Sequence, residues 1–215
     1  MHGEKPLSDD EIIAQAFVFF IAGFETTAST LSFCSYELAL NQDVQDKLCE
    51  EIKKIEEEKG SIDYETLSKL PYLDAVVSET LRKYPPVARL NRVAAQKHQL
   101  GDTGITLNKG SVVNMLVYAI HHDEEYYPEP EQFKPERFLP ENRDLIKPYT
   151  YLPFGIGPRN CIGMRFGLLE AKLALAKIIT KYKFVRSKNT QVPLEFLPNR
   201  GVLTAKSIII GVERR

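Results

Sequence analysis

The sequence has no tryptophan, only three methionines and three cysteines, no excess of either charge sign, no internal repeat and no low-complexity stretch. Each absence excludes something. Cys34, Cys49 and Cys161 are odd in number and form no CxxC or CxxH pair, so neither a disulfide framework nor a zinc knot is encoded, and a reducing compartment is implied. Lys and Arg total 28 against 29 Asp and Glu, with no basic block, which excludes nucleic acid as a partner. The opening "MHGEKPLSDDE" lacks the basic and then apolar regions of a signal peptide. The longest apolar run, "IIAQAFVFFIAGF" from Ile12 to Phe24, contains Gln15 and runs into Glu25. It is short for a membrane span and reads as a buried core helix.

What remains is ordinary globular material: 215 residues, 43% hydrophobic and 27% charged, enough to bury a core as one domain or part of one. Ser8 with Glu11 three residues later is a capping-box pattern, and no proline follows until well past Leu40. One very long helix is predicted, crossing the core with most of its faces covered. In "DVQDKLCEEIKKIEEEKG", Val44, Leu48, Ile52 and Ile55 form one apolar stripe on an otherwise charged surface helix. Ser61 or Asp63 caps a short helix, and "YLDAVVSETLRKY" forms another, stopped by Pro85 and Pro86. "VARLNRVA", "ITLNKG" and "SVVNMLVYAI" predict a small sheet. His121 to Tyr151 is a proline-rich, aromatic meander whose aromatics favour order. "FGLLEAKLALAKIITKYKF" predicts a helix, and "VPLEFLPNRGVLTAKSIIIGVERR" a closing hairpin. The fold class is therefore mainly α with small β-sheets.

The densest chemistry lies in "PFGIGPRNCIGMRFG", Pro153 to Gly167, which holds four glycines, two prolines and one cysteine just before a helix. Gly155, Gly157 and Gly163 let the backbone approach a flat or bulky group closely. Cys161 precedes the helix, where free N–H groups and the positive dipole end favour a thiolate. Such a cysteine is a nucleophile, a soft-metal ligand, or a small buried residue at a helix start. None of His2, His98, His121 and His122 lies in a local pattern that supplies a base to it.

Three further patterns are ambiguous alone. In "ETLR", Glu79 and Arg82 have the spacing of an ordinary helical surface pair. "AGFETT", Ala22 to Thr27, reads by itself as a helix kink whose threonines bond back to the preceding turn, with Glu25 facing a water-lined gap. Arg89 and Arg92 in "ARLNRVA" read as exposed strand arginines, and His121 and His122 lack a second pair for a metal.

"FGIGPRNCIG" resembles the haem-binding loop of the cytochrome P-450 superfamily, and "ETLR", "FKPERF" and "AGFETT" occur in that family's order. The resemblance implies the carboxyl-terminal portion of the P-450 fold, from the long oxygen-binding helix through the haem-ligand helix to the terminal hairpin. Residues 1–215 are then one part of a single domain, with the amino-terminal half and a membrane anchor absent, and the flanks of Ile12 to Phe24 are expected to be exposed in these residues taken alone. It implies haem b as cofactor, with Cys161 as axial iron ligand in a cradle formed by Phe154, Gly155 and Gly163. Arg159 and Arg92 would reach the propionates, and His121 would support packing or a propionate. Gly23 would leave room for dioxygen, while Glu25 and Thr26 organise water and relay protons. Glu79, Arg82 and Arg137 would form a buried structural salt-bridge cluster.

The implied activity is a monooxygenase acting on a lipophilic small molecule. Its electrons would come from NADPH-cytochrome P-450 reductase, or from cytochrome b5, docking near Arg143, Lys147, Arg165 and Lys172. Microsomal animal enzymes, including insect ones, are the nearest match, which implies the cytosolic face of the endoplasmic reticulum membrane. Residues 17–27, 87–90 and 199–202 would contribute to a substrate wall.

Overall fold

The computed structural model describes residues 6–67, 69–198 and 201–215. Its first helix, α1 (Asp9–Leu40), starts where the capping box places it: Glu11 N–H donates to the Ser8 hydroxyl at 3.3 Å, and Ser8 N–H donates to the Glu11 carboxylate at 2.8 Å. At 32 residues it is about 48 Å long. It is followed by α2 (Gln42–Lys59), the single turn α3 (Tyr64–Leu67) capped by Asp63, and α4 (Pro71–Lys83). Next come four short strands, β1 (Leu90–Val93), β2 (His98–Gln99), β3 (Thr106–Leu107) and β4 (Val112–Met115), and then α5 (Val117–His121). Two 3-10 turns, Pro135–Phe138 and Pro140–Leu145, lie in the meander before α6 (Met164–Ile179), β5 (Tyr182–Val185) and β6 (Gly211–Arg214). The strands pair antiparallel as β1–β4, β2–β3 and β5–β6.

The core is built where α1, α2, α4 and α6 converge. Cys34 and Leu38 of α1 pack with Val44, Leu48 and Ile52 of α2, with Leu73, Val76, Val77 and Leu81 of α4, and with Leu175, Ala176 and Ile179 of α6. The stripe read along α2 is this contact face, with Ile55 half-buried at its edge. Buried polar groups fix the geometry between elements. Gln45 donates to the carbonyls of Leu38 (2.9 Å) and Phe184 (2.8 Å) and accepts the Phe184 N–H at 2.7 Å. The Glu51 carboxylate accepts the N–H groups of Tyr72 and Leu73 at 2.8 and 2.9 Å, so α4 is capped from a neighbouring helix.

Four expectations need correction. α1 is not covered on most faces: along Ile12 to Phe24 the apolar side chains are bare, with Phe20 71% and Phe24 70% exposed. It is the one described helix long and apolar enough to cross a membrane by length and composition, and only its second half joins the core. "VYAI" is helical rather than strand, because β4 runs out of partner: Leu90 opposite Met115 is the last pair of the ladder, and the chain before Leu90 is already non-strand. "YKF" belongs to β5 rather than to the end of α6, since Gln45 takes both backbone groups of Phe184 in extended geometry. The tail closes on itself only briefly, with the Lys206 N–H donating to the Glu195 carbonyl at 2.7 Å and the Leu197 N–H to the Thr204 carbonyl at 2.9 Å. Phe196 and Ala205 form one isolated bridge, and Gly211–Arg214 pairs with β5 instead.

Candidate active site

The loop from Pro153 to Gly163 reverses onto itself before α6. The Cys161 N–H donates to the Phe154 carbonyl at 2.8 Å, and the Gly155 N–H donates to the Leu152 carbonyl at 3.0 Å. Gly155 and Gly157 take φ of 71° and 80°, the left-handed region that other residues occupy at a cost. A side chain at Gly155 would also meet Leu90 Cδ1 at 3.4 Å, so this glycine lets β1 lie against the loop. Cys34 and Cys49 are buried, whereas Cys161 is exposed. Burial pushes the Cys34 thiol up to about 12, leaving it inert.

Cys161 lines a cavity of about 420 Å³ between the loop and α1. The opposite wall is Phe19, Ala22, Gly23, Thr26, Thr27 and Thr30, one face of α1 at its exposed-to-buried transition. Phe154, Ile162 and Phe166 complete the loop side, and Leu81 and Pro86 the rim toward α4. Gly23 faces open space, with nothing within 4 Å of a side chain placed there. The Thr26 hydroxyl donates to the Ala22 carbonyl at 2.6 Å, the back-bond to the preceding turn anticipated for this segment. Glu25 is exposed and does not line the cavity. Helical spacing turns it about 100° away from Thr26. Thr27, which drew no separate attention in the sequence, is buried against Gly167 of α6, 3.9 Å from the position of a Cβ there.

The two arginines singled out lie together. Arg92 donates to the Arg159 carbonyl at 3.5 Å and to the Asn91 carbonyl at 2.7 Å. Both are exposed, and among the described residues neither has a carboxylate within 4.0 Å. Arg89 is also exposed. Of the four cations flanking the loop, three already hold partners: Arg143 and Lys172 share Asp74, and Lys147 pairs with Glu125. Asn199 lies outside the described residues.

"ETLR" is a buried pair, not a surface one. Arg82 grips Glu79 with Nε at 2.8 Å and Nη2 at 2.9 Å, and both residues are fully buried. Arg137 Nε completes the cluster 3.5 Å from Glu79, while its Nη2 donates to the carbonyls of Pro128 and Glu129. Burial pushes the Glu79 carboxyl up, opposed by the guanidinium fork of Arg82. His121 is equally buried and has no route to a ligand at the cavity. It packs against Tyr127 and Tyr151, so of the two roles expected for it only packing is realised.

Among the described residues no group of three His, Cys, Asp or Glu side chains is placed to hold a metal ion. The cavity offers one soft donor, Cys161, facing a glycine gap across apolar walls, and neither Arg92 nor Arg159 lines it. That set fits a flat, apolar macrocycle bearing its own metal.

Comparison with known proteins agrees. The family model described as "Cytochrome P450" matches residues 1–212. The chain is 46% identical to cytochrome P450 3A12 of Canis lupus familiaris over 215 residues, which is all of this chain and 42% of that protein. It is 47% identical to cytochrome P450 3A7 of Homo sapiens over 211 residues, 98% of this chain and 42% of that protein. With "Probable cytochrome P450 6a13" of Drosophila melanogaster it shares 48% identity over 191 residues, 88% of this chain and 39% of that protein. The chain thus spans about two fifths of the length of these curated relatives. A match across nearly its whole length, joined to the thiol-bearing loop and the buried Glu-Arg-Arg cluster, places the chain in the cytochrome P450 family of haem-iron monooxygenases.

Proposed function

We propose that this chain is the carboxyl-terminal part of a P450 domain and carries the haem-thiolate site of a monooxygenase. That enzyme inserts one atom of dioxygen into a lipophilic substrate with electrons from NADPH. The observation that supports this best is the placement of the exposed Cys161 thiol and of Gly23 and Thr26 on one apolar cavity. When bound there, haem b supplies the one-electron and dioxygen chemistry that side chains lack.

The chain's own residues have separable tasks. Cys161 gives an anionic sulfur as the protein ligand, held by its N–H bond to Phe154. Arg92 and Arg159 hold the acidic edge by charge-assisted hydrogen bonds, for which neither has a competing carboxylate. Gly23 keeps space open on the α1 wall, where Phe19 and Ala22 add apolar surface and Thr27 is buried. Thr26 positions a proton donor at that wall by releasing its bond to the Ala22 carbonyl, and Glu25 feeds protons from the exposed side. The electron donor is NADPH-cytochrome P-450 reductase or cytochrome b5, and the location is the cytosolic face of the endoplasmic reticulum membrane, in keeping with the family.

The bare face from Ile12 to Phe24 favours a second reading for the chain by itself: it binds haem without coupled turnover, because solvent reaches the α1 side. Reduced carbon monoxide difference spectra of the haem-loaded protein test the ligand. Wild type is expected to give the red-shifted Soret band of a thiolate complex. Cys161→Ser is expected to lose it, since a hydroxyl is not a soft anionic ligand. Retention of the band in the serine variant would falsify the assignment. Product formed per NADPH then separates the two readings.

A further inference from the structure

The residue that ties the cysteine loop to the buried charge cluster is His121. Its ring is fully buried, and both ring nitrogens are engaged. Nδ1 lies 3.0 Å from the Arg82 carbonyl, which can only accept, so Nδ1 carries the proton. Nε2 is then an acceptor, and the Leu152 N–H donates to it at 2.8 Å. The Arg82 side chain in turn donates to the His121 carbonyl at 2.8 Å. A two-way bond therefore joins Arg82 to His121, and a further bond joins His121 to the first turn of the cysteine loop. Tyr151 stacks on the ring at 5.6 Å between centroids and Tyr127 meets it edge-on at 6.2 Å, so rotation of the ring is blocked. From Leu152 the connection continues: its carbonyl accepts the Gly155 N–H, and two residues on, the Phe154 carbonyl accepts the Cys161 N–H.

We infer that His121, in a single neutral tautomer, is a positioning residue that sets the register of the loop carrying Cys161 from the Glu79–Arg82 pair. The ring does not approach Cys161 or the cavity, and it acts only through Leu152. Burial lowers the ring's proton affinity to a value of about 4, which keeps Nε2 free as an acceptor at neutral pH. The geometry stands without any cofactor; only its consequence for a ligand thiolate rests on the function proposed above.

The test compares three variants of the whole chain, with hydrogen–deuterium exchange of peptides covering residues 150–163 and the alkylation rate of Cys161 as readouts. Cys34 and Cys49, being buried, serve as internal controls for global opening. His121→Phe keeps a flat ring and removes both hydrogen bonds. His121→Gln keeps an acceptor with the reach of Nε2, whereas His121→Asn reaches only the Nδ1 position. Phe and Asn are expected to raise exchange across 150–163, and Cys161 alkylation, on the order of tenfold, with α2 peptides unchanged. Gln is expected to restore values near wild type.

Equal protection in wild type and Asn would overturn the inference, as would equal loosening in Gln and Asn, because packing alone would then explain the site. If the Phe variant opens globally, seen as labelling of Cys34 and Cys49, the Gln and Asn pair decides the question. Because these readouts need no haem, their failure is distinct from failure of the Cys161 ligand assignment, which the carbon monoxide spectrum reports. With haem bound, the Asn variant is expected to lose thiolate-type signal over time faster than the Gln variant.

Discussion

The first half of α1 is the more apolar of the two and yet the less buried. Up to Phe24 the helix presents Ile13, Phe17, Phe20 and Phe24 to solvent; from Thr27 on it buries Phe33, Cys34, Tyr36 and Leu38. The change falls at the segment that lines the cavity. Beyond it, polar groups of the helix reach partners on other elements: Glu37 accepts from Lys83 at 2.8 Å and from the Tyr84 hydroxyl at 2.5 Å, and the Tyr36 hydroxyl donates to the Gln191 carbonyl at 3.0 Å. Burial in this molecule thus follows the availability of neighbours and not hydrophobicity. The packed half, with α4 and its charge cluster, is where stability resides; the bare half and the cavity it borders add chemistry and little stability.

The sharpest way to break that comparison is to strike the charge cluster. Glu79→Ala leaves the buried Arg82 guanidinium without its counterion, although the carbonyls of His121 and Pro130 remain within 2.8 Å and 2.7 Å. Stranding a buried charge costs roughly 3–5 kcal/mol, a large part of a domain's margin of about 5–15 kcal/mol. Urea denaturation followed by far-ultraviolet circular dichroism is expected to show most of the transition lost. A midpoint within experimental error of wild type would place stability elsewhere.

A smaller effect comes from pH. The His121 ring takes its proton at about 4 in the folded chain against 6.5 when unfolded, because burial disfavours the cation. Between these values the unfolded chain binds more protons, so stability is full above about pH 6.5 and falls as pH drops toward 4. The gap of about 2.5 pH units corresponds to roughly 3 kcal/mol. Arg82, His122, Tyr127 and Tyr151 surround the ring; the Arg82 carbonyl opposes the shift, while the Arg82 guanidinium reinforces it. Carboxylates titrate in the same range, so the measured quantity is the slope of stability with pH in wild type minus that in His121→Gln. A difference of zero across pH 4 to 6.5 would mean that the ring is solvated.

Much of this arrangement was legible. The capping box fixed the start of α1, the apolar stripe fixed the face of α2, and the glycine-cysteine run marked the loop. Those signals are local, carried by residues a few positions apart. What escaped was non-local. Gln45 and Glu51 satisfy backbone groups of Phe184, Tyr72 and Leu73, far along the chain, and nothing in their flanking sequence marks them. The Glu79–Arg82 spacing is that of countless exposed pairs, so its burial was legible only through the resemblance, and it is realised by Arg137 and the meander carbonyls. The exposure of α1 was expected only through the resemblance, because a 3.6-residue pattern cannot report what packs against a helix. The strand ends failed for a related reason: β4 stops where its partner stops.

The smallest stability effect, and the most direct test of the comparison, is expected in the bare half. Phe20 and Phe24 stack on each other at 6.4 Å on the solvent side and touch no core cluster. Replacing both with Ser removes almost no buried area, so the change in unfolding free energy is expected to stay within about 0.5 kcal/mol. Leu38→Ala in the packed half, at a fully buried position, is expected to cost about 2–5 kcal/mol by opening a cavity. Association behaves in the opposite way. Apolar surface is worth about 25 cal/mol per Å² when covered, and a contiguous face from Ile12 to Phe24 is a strong drive for copies of the chain to meet. Wild type is therefore expected to run as oligomers or aggregates in light scattering behind size exclusion. The double serine variant is expected to shift measurably toward monomer, and Leu38→Ala is not. If the serine variant unfolds as readily as Leu38→Ala, or leaves the oligomer distribution unchanged, the first half of α1 is packed in solution and the contrast between the halves fails.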